Sequence, residues 1–339
     1  SAPLLEAFWN SIHTDNSKSV APKVLPHIVD LVAHSIAWPD TSEAAMAAVG
    51  ASPLFQQERT GVFRGKETPA QMTQQQFLDG CAGYMHRLIS RSAPPDELAA
   101  KVFELTEAEI EADLLQGYFT FEEMNHKYGE GKWRALFRYA ICQGIKWRLI
   151  DNGKAGEHNL TYSSTETIHT TSTAAGVAVA AAFRQEHGKA LSGQWKLQVS
   201  TQDMWKAYRQ IPCHESQRPF MVVMVWHPIW KKWVFGEAKG LLFGITGAVL
   251  NFNRVPAFIV AVARRWLAIP CQHFFDDFRI FDVLCSNGSC NRFFKRLLDE
   301  ILGWRIDAGK EQMPASKVLF LGNNEDYYPD DKMLGILKD

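Results

Sequence analysis

The sequence predicts an α+β protein in which a helical N-terminal region precedes a set of β-hairpins. Two observations support this class. Apolar residues recur at helical spacing through much of residues 1–118, whereas residues 119–339 contain paired runs of β-branched and aromatic residues around Gly and Asp turns. A run of helices followed by a run of strands is the pattern of α+β proteins.

Composition and charge exclude a disordered chain. The 339 residues are 46% hydrophobic, which is enough for one large domain or two medium domains with real cores. The net charge of −1 conceals an asymmetry, because residues 1–118 carry 8 basic against 15 acidic side chains and residues 119–339 carry 28 against 22. The basic part is compatible with a polyanion surface, although solvated faces of this charge are common.

Cysteine usage and the N-terminal sequence bear on location. The six cysteines are scattered without a regular framework, so we expect reduced thiols and an intracellular protein. No signal peptide is evident, and an organelle is compatible if a targeting segment has been removed. The longest apolar run, Leu241 to Ala268, contains Asn and Arg side chains, which argues against a membrane span.

The N-terminal region is predicted to be helical, with no evident chemistry. Helices are expected over Pro26 to Trp38, Gln71 to Ile89 and Asp96 to Phe103. The pattern Thr106-x-x-Glu109 predicts a capping box that opens a further helix, which Gly117 closes. The acidic balance of this region indicates either a solvated face or a partner surface.

A second capping box, Thr120-x-x-Glu123, is followed by a predicted hairpin. Its strands, Trp133 to Gln143 and Lys146 to Ile150, flank Gly144. Alternation along the second strand puts Lys146 and Arg148 on one face. Two cations on one face indicate either an exposed edge or a phosphate-binding strand.

The central part of the chain alternates further strands with glycine-rich and Ala-rich segments. A strand is predicted to end at Asp203, where functional groups commonly collect. The other expected elements are an Ala-rich helix from Thr173 to Gln185, a hairpin of Phe220 to Trp226 with Lys232 to Phe235, and a helix opened by a glycine loop from Lys239 to Ala248 and kinked or restarted at Pro256.

Two adjacent carboxylates, Asp276 and Asp277, lie inside the apolar run Phe274-Phe275-Asp276-Asp277-Phe278. Side by side in a dry strand, the two acids would repel each other and raise each other's pKa. They are tolerable at a solvated hairpin tip or against cations, and the pentapeptide alone leaves both interpretations open.

Six sequence motifs of the chain occur in the order and spacing that one known protein family has. Over residues 125–325 the chain resembles the reverse transcriptases of the retroelement type. The pieces are Lys146-Trp147-Arg148-Leu149-Ile150-Asp151, Asp203 with Ala207-Tyr208-Arg209-Gln210, Phe243-Gly244 before a helix, the Phe-Phe-Asp-Asp hairpin, Leu302-Gly303-Trp304 with Lys310, and the turn Phe320-Leu321-Gly322.

The resemblance implies a polymerase right-hand fold. Fingers and palm would occupy residues 119–325, with an antiparallel palm sheet that has helices on one face. Residues 1–118 would form a helical region of unassigned role, and residues 326–339 a tail. The implied activity is that of an RNA-directed DNA polymerase, a nucleotidyltransferase that adds deoxynucleotides to a primer 3′-hydroxyl with two Mg²⁺ ions, or Mn²⁺ in their place. The implied partners are a nucleic-acid primer-template and a deoxynucleoside triphosphate.

The resemblance also implies the roles of individual residues. Asp203, Asp276 and Asp277 would be catalytic metal ligands, which agrees with the preference of Mg²⁺ for hard oxygen donors. The backbone carbonyl of Met204 would add a ligand, and Lys310 would be the general acid for pyrophosphate. For the nucleotide, Lys146 and Arg148 would hold the triphosphate, Tyr208 would lie beneath the sugar, and Phe243 and Gly244 would line the pocket. From the residues alone, Tyr208 and Phe243 are also compatible with core aromatics, and Lys310 with a surface lysine.

The chain departs from the family pattern at three places. Leu241-Leu242 replaces the usual Leu-Pro before Phe-Gly, and Phe274 lacks the tyrosine hydroxyl common at its position. Only 17 residues follow Gly322, too few for a helical thumb. The missing thumb supports an alternative hypothesis: a domesticated, catalytically idle reverse-transcriptase-like subunit of a larger complex, in an organelle if a targeting segment has been removed, held by protein partners.

Overall fold

The computed structural model describes residues 2–144, 146–187, 195–327 and 335–338. Contacts divide the chain into two compact units, each discontinuous in sequence. The first unit contains Ser1–Pro22, Asp40–Ile168 and Tyr208–Phe252, and the second unit contains Lys23–Pro39, His169–Ala207 and Asn253–Asp339. The described chain is a mixed α/β protein, and the finer predicted boundaries at residues 118 and 325 stay predictions.

Helices are concentrated in the N-terminal third, and the longest described helix has 22 residues, Thr246–Leu267. Single-turn 3₁₀ segments occur at His158–Thr161, Ala207–Gln210, Glu215–Phe220 and Leu284–Ser286, and a π-helical turn at Leu297–Ile301. The α-helices are α1 (Ala2–Ile12), α2 (Asp15–Val20), α3 (Pro26–Ser35), α4 (Glu43–Val49), α5 (Gln74–Asp79), α6 (Cys81–Ile89), α7 (Asp96–Glu111), α8 (Phe121–Tyr128), α9 (Thr173–His187), α10 (Thr246–Leu267) and α11 (Ser289–Arg296).

Strands occur along the whole chain and form one mixed sheet and three antiparallel sheets among the described residues. The strands are β1 (Arg64–Thr68), β2 (Leu115–Phe119), β3 (Ala135–Gln143), β4 (Lys146–Asp151), β5 (Ser164–Thr167), β6 (Leu197–Asp203), β7 (Val222–His227), β8 (Lys232–Ala238), β9 (Cys271–Phe274), β10 (Asp277–Val283), β11 (Gln312–Ala315), β12 (Lys317–Phe320), β13 (Asn323–Asp326) and β14 (Gly335–Lys338).

The first unit is built on a five-stranded sheet of order β2-β8-β7-β3-β4. The β3–β7 pair is parallel, whereas β3–β4 and β7–β8 are the antiparallel hairpins that the sequence predicts. Met85 and Leu88 of α6 pack with Met124 of α8 against Trp133 and Phe235. This packing buries one face of the sheet beneath two short helices.

A buried ion-pair cluster lies on the face of β3 opposite to the one that α6 and α8 cover. Arg138 is inaccessible to solvent, and its guanidinium donates to both carboxylate oxygens of Asp151, at 2.6 and 3.1 Å. It also donates to Glu109 of α7 at 2.6 Å, and Arg209 donates to the same Glu109 at 2.6 Å. The cluster therefore ties α7 to the β3–β4 hairpin through ion pairs in which Arg138 and Asp151 are buried and Glu109 is partly exposed.

The second unit contains two antiparallel sheets. One has the order β11-β6-β10-β9 and the other is the meander β12-β13-β14. Leu197 and Val199 of β6 pack with Phe281 of β10, Val318 of β12 and Ala180 of α9. Alternate residues of β6 and β10 therefore form the core of this unit. Polar groups lie at the ends of these two strands.

Local sequence explains the elements that were predicted correctly. Thr120 accepts a hydrogen bond from the Glu123 amide while the Glu123 carboxylate accepts one from the Thr120 amide, which completes the predicted capping box of α8. Gly144, with φ of 64°, turns the β3–β4 hairpin. β6 ends at Asp203 as expected from the change of pattern there.

The capping box predicted at Thr106-x-x-Glu109 is wrong. One helix, α7, runs through Asp96–Glu111, and Thr106 is fully buried inside it. The Thr106 hydroxyl donates to the Val102 carbonyl at 2.7 Å, a bond across one helical turn that leaves nothing to cap. Gly117, predicted to close that helix, lies in β2. The segment Gln71 to Ile89 is likewise two helices, separated at Gly80.

α10 is the described helix that is long and apolar enough to cross a membrane by length and composition. Of its most apolar window, 78% is buried inside the protein. Such burial is typical of a core helix, in line with the prediction of no membrane span. The helix continues through Pro256 in one piece, rather than restarting there.

Candidate active site

Strand pairing in the second unit brings two of the predicted carboxylates face to face. In the β6–β10 register, Asp277 stands directly opposite Asp203. The side chain of Asp203 is 8% exposed, and Asp277 is half-buried. Two residues 74 positions apart in sequence are therefore neighbours because one strand ends where the other begins.

The third carboxylate lies at the tip of the β9–β10 hairpin. Asp277 pairs with Phe274, so Phe275 and Asp276 are the two residues of the turn, and Phe275 has a φ of 52°. The backbone carbonyl of Asp276 accepts a hydrogen bond from the Met204 amide at 3.1 Å. The tip is thereby fastened to the end of β6, next to Asp203.

The three acids repel one another. Burial, the charge of Asp276, and the hydrogen bond and charge of Asp203 raise the pKa of Asp277 to about 7, although Lys310 acts in the opposite direction. A carboxyl group with this pKa is partly protonated near neutral pH. The cluster therefore lacks enough positive charge to ionise fully.

Lys310 supplies part of that charge. Its ammonium nitrogen lies 3.0 and 3.1 Å from the two carboxylate oxygens of Asp203, and 3.8 Å from Asp307. Burial lowers the pKa of Lys310, but the hydrogen bond and charge of Asp203 outweigh this effect and raise it above the ordinary value. Lys310 therefore stays charged and holds the carboxylate of Asp203.

Backbone hydrogen bonds fix the segment that carries Lys310. The Asp307 amide donates to the Asp203 carbonyl at 2.9 Å, and the Lys310 amide donates to the Asp307 carbonyl at 3.0 Å. Met204 and Ile306 form an isolated antiparallel bridge. The backbone of the segment is thus held beside β6, whereas the Lys310 side chain is 56% exposed and free to rotate away.

The donor set fits a divalent cation in chemistry. Three carboxylates within one hairpin-and-strand junction are the hard oxygen ligands that Mg²⁺ prefers. Among the described residues, however, no group of three or more His, Cys, Asp or Glu side chains is arranged to hold a metal ion. The Met204 carbonyl, the predicted fourth ligand, accepts from the Ala207 amide at 3.3 Å. Because Lys310 donates to both oxygens of Asp203, it competes with an ion for this carboxylate.

Replacing Lys310 by Met is therefore expected to tighten the binding of Mn²⁺ or Mg²⁺ by about tenfold, since one competing ion pair of about 1.4 kcal/mol is removed. Titration of Mn²⁺ followed by electron paramagnetic resonance measures the affinity directly. Lys317→Met is the matched control, because Lys317 pairs with Asp326 at 3.1 Å elsewhere in the second unit. Equal affinities of wild type, Lys310→Met and control would contradict the competition.

The predicted triphosphate ligands lie in the first unit. Lys146 and Arg148 stand two residues apart on β4, and both side chains are exposed. Their partners in β3 are Gln143 and Ile141, so they lie on one face of the hairpin. The prediction that they share a face is confirmed, and their binding role stays a prediction.

The predicted nucleotide pocket residues cluster in the same unit. The ring of Tyr208 lies 4.7 Å from Phe243 and 4.6 Å from Phe252, and Tyr208 is only 8% exposed. Gly244 has a φ of 92°, and a Cβ there would come within 2.1 Å of the Asp151 carbonyl oxygen. The glycine is thus required by its approach to β4, and Phe243, at 43% exposure, is the more open of the two aromatic rings.

Sequence reasoning missed a polar network behind the carboxylates. Gln202, next to Asp203 and almost fully buried, donates to Asn291 at 2.9 Å and to Glu311 at 2.7 Å. Lys295 of α11 donates to Glu311 at 2.6 Å. The network joins the end of β6 to α11 and to the segment after Lys310. The sequence did contain one signal for this network, because strand alternation places Gln202 on the face of β6 opposite to Asp203.

Comparison with protein-family models finds none that matches this chain. No curated protein matches it either. The functional assignment therefore depends on the geometry and chemistry of the carboxylate site and on the sequence motifs around it.

Proposed function

We propose that this protein is a reverse-transcriptase-like nucleotidyltransferase, an RNA-directed DNA polymerase whose palm is the β11-β6-β10-β9 sheet of the second unit. The observation that carries the proposal is the pairing of Asp203 with Asp277 on adjacent strands, with Asp276 on the hairpin turn beside them. Polymerase right-hand folds have this arrangement in an antiparallel palm sheet with helices on one face.

The electrostatics of the site support phosphoryl-transfer chemistry. Three acids share one strand junction, and burial and their charges raise the pKa of Asp277 although Lys310 acts in the opposite direction. Two divalent ions, when bound, would stabilise the charge on the attacking 3′-hydroxyl and on the leaving pyrophosphate. Asp203, Asp276 and Asp277 would hold and orient these ions, with the Met204 carbonyl as a further donor.

The remaining residues receive roles by the same proposal. Lys310, once off Asp203, would carry a proton at its ammonium for the pyrophosphate oxygen. Lys146 and Arg148 would bind the triphosphate through an ammonium and a planar guanidinium. Tyr208, Phe243 and Gly244 would contact the sugar and base of a deoxynucleoside triphosphate, and a primer-template would be the nucleic-acid partner.

The test of the proposal is extension of a DNA primer on an RNA template by the wild-type protein. Incorporation should require deoxynucleoside triphosphates and Mg²⁺, stop when the ion is chelated, and resume when Mg²⁺ or Mn²⁺ is restored. A wild-type protein that binds Mn²⁺ at the carboxylates but extends no primer, with any template or ion, would overturn it.

A second candidate is a catalytically idle, reverse-transcriptase-like structural subunit of a larger complex. The bidentate contact of Lys310 with Asp203 favours it, because this contact partly satisfies the carboxylates without any metal ion. This candidate predicts no Mn²⁺ binding at millimolar concentration and stable co-purification with protein partners. A monomer that binds Mn²⁺ and extends primers would exclude it.

A further inference from the structure

A cleft in the first unit lies outside the residues to which the reverse-transcriptase resemblance gives a role. It has a volume of about 320 Å³ and lies between α6, β3 and the loop that follows β4. We call it the α6–β3 cleft. Its helical wall belongs to the N-terminal region, for which the sequence suggested no chemistry.

Aromatic rings form much of the wall of the α6–β3 cleft. Tyr84 comes from α6, and Phe137 and Tyr139 come from β3. Phe137 and Tyr139 stand on one face of the strand, with ring centroids 6.3 Å apart and planes inclined by 21°. Nearly parallel rings that border an open cleft offer a surface on which a planar ligand can stack.

The charges at the cleft are predominantly positive. Arg87 and Arg91 are exposed at its rim, and the guanidinium carbon of Arg91 lies 4.2 Å from the centroid of Phe137. The acid in the lining, Glu157, already accepts a hydrogen bond from the buried Arg134 at 2.6 Å. The guanidinium of Arg134 also lies 4.3 Å from the ring of Tyr84. The two rim arginines are therefore left to face an anion.

We propose that the α6–β3 cleft binds a nucleoside phosphate, either free or as an unpaired nucleotide of a strand. Aromatic rings recognise the flat face of a base, and two arginines recognise phosphate by bidentate hydrogen bonds. Asn152 adds an amide nitrogen as a donor for a base edge, while its side-chain oxygen accepts a hydrogen bond from the Ala155 amide at 2.9 Å. The volume lies at the lower end of the range for small-molecule pockets, about 300–1,000 Å³.

The cleft is separate from the carboxylate site, so its test uses conditions under which catalysis cannot occur. Binding of a fluorescent nucleoside monophosphate and of a labelled six-nucleotide single strand is measured by anisotropy without divalent ions. The Asp276→Asn variant of the full chain should bind both probes as the wild type does. Failure of the proposed polymerase function would therefore leave this result unchanged.

The double variant Arg87→Gln/Arg91→Gln should weaken binding by about tenfold or more, since charge-assisted contacts to phosphate are lost. Arg59→Gln/Arg64→Gln is the matched control, because it removes the same charge from exposed positions of the same unit. It should change the affinity less than about twofold, as expected for screened surface charges that do not line the cleft. Equal losses in both double variants would show nonspecific attraction of a polyanion and would overturn the proposal.

Tyr139→Leu separates base stacking from simple anion binding. It should weaken nucleotide binding by at least about fivefold, the effect of losing one stacked ring, and should not change competition by inorganic pyrophosphate. Unchanged nucleotide affinity would reduce the cleft to an anion site and overturn the proposal. If Tyr139→Leu does not fold, Arg91→Lys takes its place, because it keeps the charge and loses the planar guanidinium, with an expected loss of about threefold. If the monophosphate binds, a free nucleotide is a sufficient ligand for the cleft. If only the single strand binds, the ligand is an unpaired nucleotide within nucleic acid.

Discussion

Asp276→Asn is expected to lower primer extension by at least about 1000-fold, equivalent to about 4 kcal/mol of transition-state stabilisation. The substitution keeps the size of the side chain and removes the negative charge that a bound cation would need. The backbone of residue 276 still accepts from the Met204 amide, so the hairpin turn should keep its position. Single-nucleotide incorporation under saturating substrate measures the effect.

Asp276→Asn should lower the activity without lowering the free energy of unfolding. Asp276 is one of the charges that raise the pKa of Asp277, and its removal relieves repulsion within the folded protein. Stability equal to or above that of the wild type is therefore expected. Asp299→Asn is the control, since Asp299 pairs with Lys23 at 2.8 Å in the same unit but outside the carboxylate cluster. Equal incorporation by Asp276→Asn and wild type would contradict a metal-ion mechanism at these residues.

Arg138→Met is expected to destabilise the first unit by about 3–5 kcal/mol, the usual cost of orphaning a buried charge. Arg138 is fully buried, and it holds both oxygens of Asp151, whose side chain is only 4% exposed. Without the guanidinium, Asp151 must stay charged without a partner or take up a proton. Glu109 would keep only the contact with Arg209. Urea unfolding followed by tryptophan fluorescence measures the loss.

Two further variants separate loss of the ion pair from loss of volume. Arg148→Met removes an exposed arginine from the adjacent strand and should change stability by less than about 0.5 kcal/mol. Arg138→Met/Asp151→Asn removes the orphaned charge as well, and should recover part of the loss. If Arg138→Met has the same urea midpoint of unfolding as the wild type, the buried cluster does not stabilise the fold as described.

Local patterns were sufficient for a strand end and a hairpin turn. The end of β6 at Asp203 and the hairpin at Gly144 are set by residues within a few positions of the turn. Turn chemistry and strand alternation act over such short distances, and they do not depend on the rest of the chain. The β9–β10 hairpin was expected to turn at the Asp-Asp pair, but its turn lies one residue earlier, at Phe275 and Asp276.

The incorrect capping-box prediction at Thr106 also has a physical cause. The Thr-x-x-Glu pattern is satisfied by a helix start and equally by the middle of a helix whose threonine is buried. Packing of α7 buries Thr106, and its hydroxyl then finds the Val102 carbonyl one turn earlier. Burial depends on contacts distant in sequence, so a four-residue pattern cannot distinguish the two cases.

Local sequence is enough to indicate which residues could form an acidic site, because an Asp-Asp pair in an apolar hairpin and an Asp at a strand end are local features. The position of Asp277 opposite Asp203 follows from the folded chain, since register depends on how strands far apart in sequence pair. The folded chain likewise decides that Lys310 lies on Asp203 and that Arg91 lies over Phe137 at the α6–β3 cleft. Long side chains reach many neighbours, and the choice among them is made by packing and charge in the folded protein.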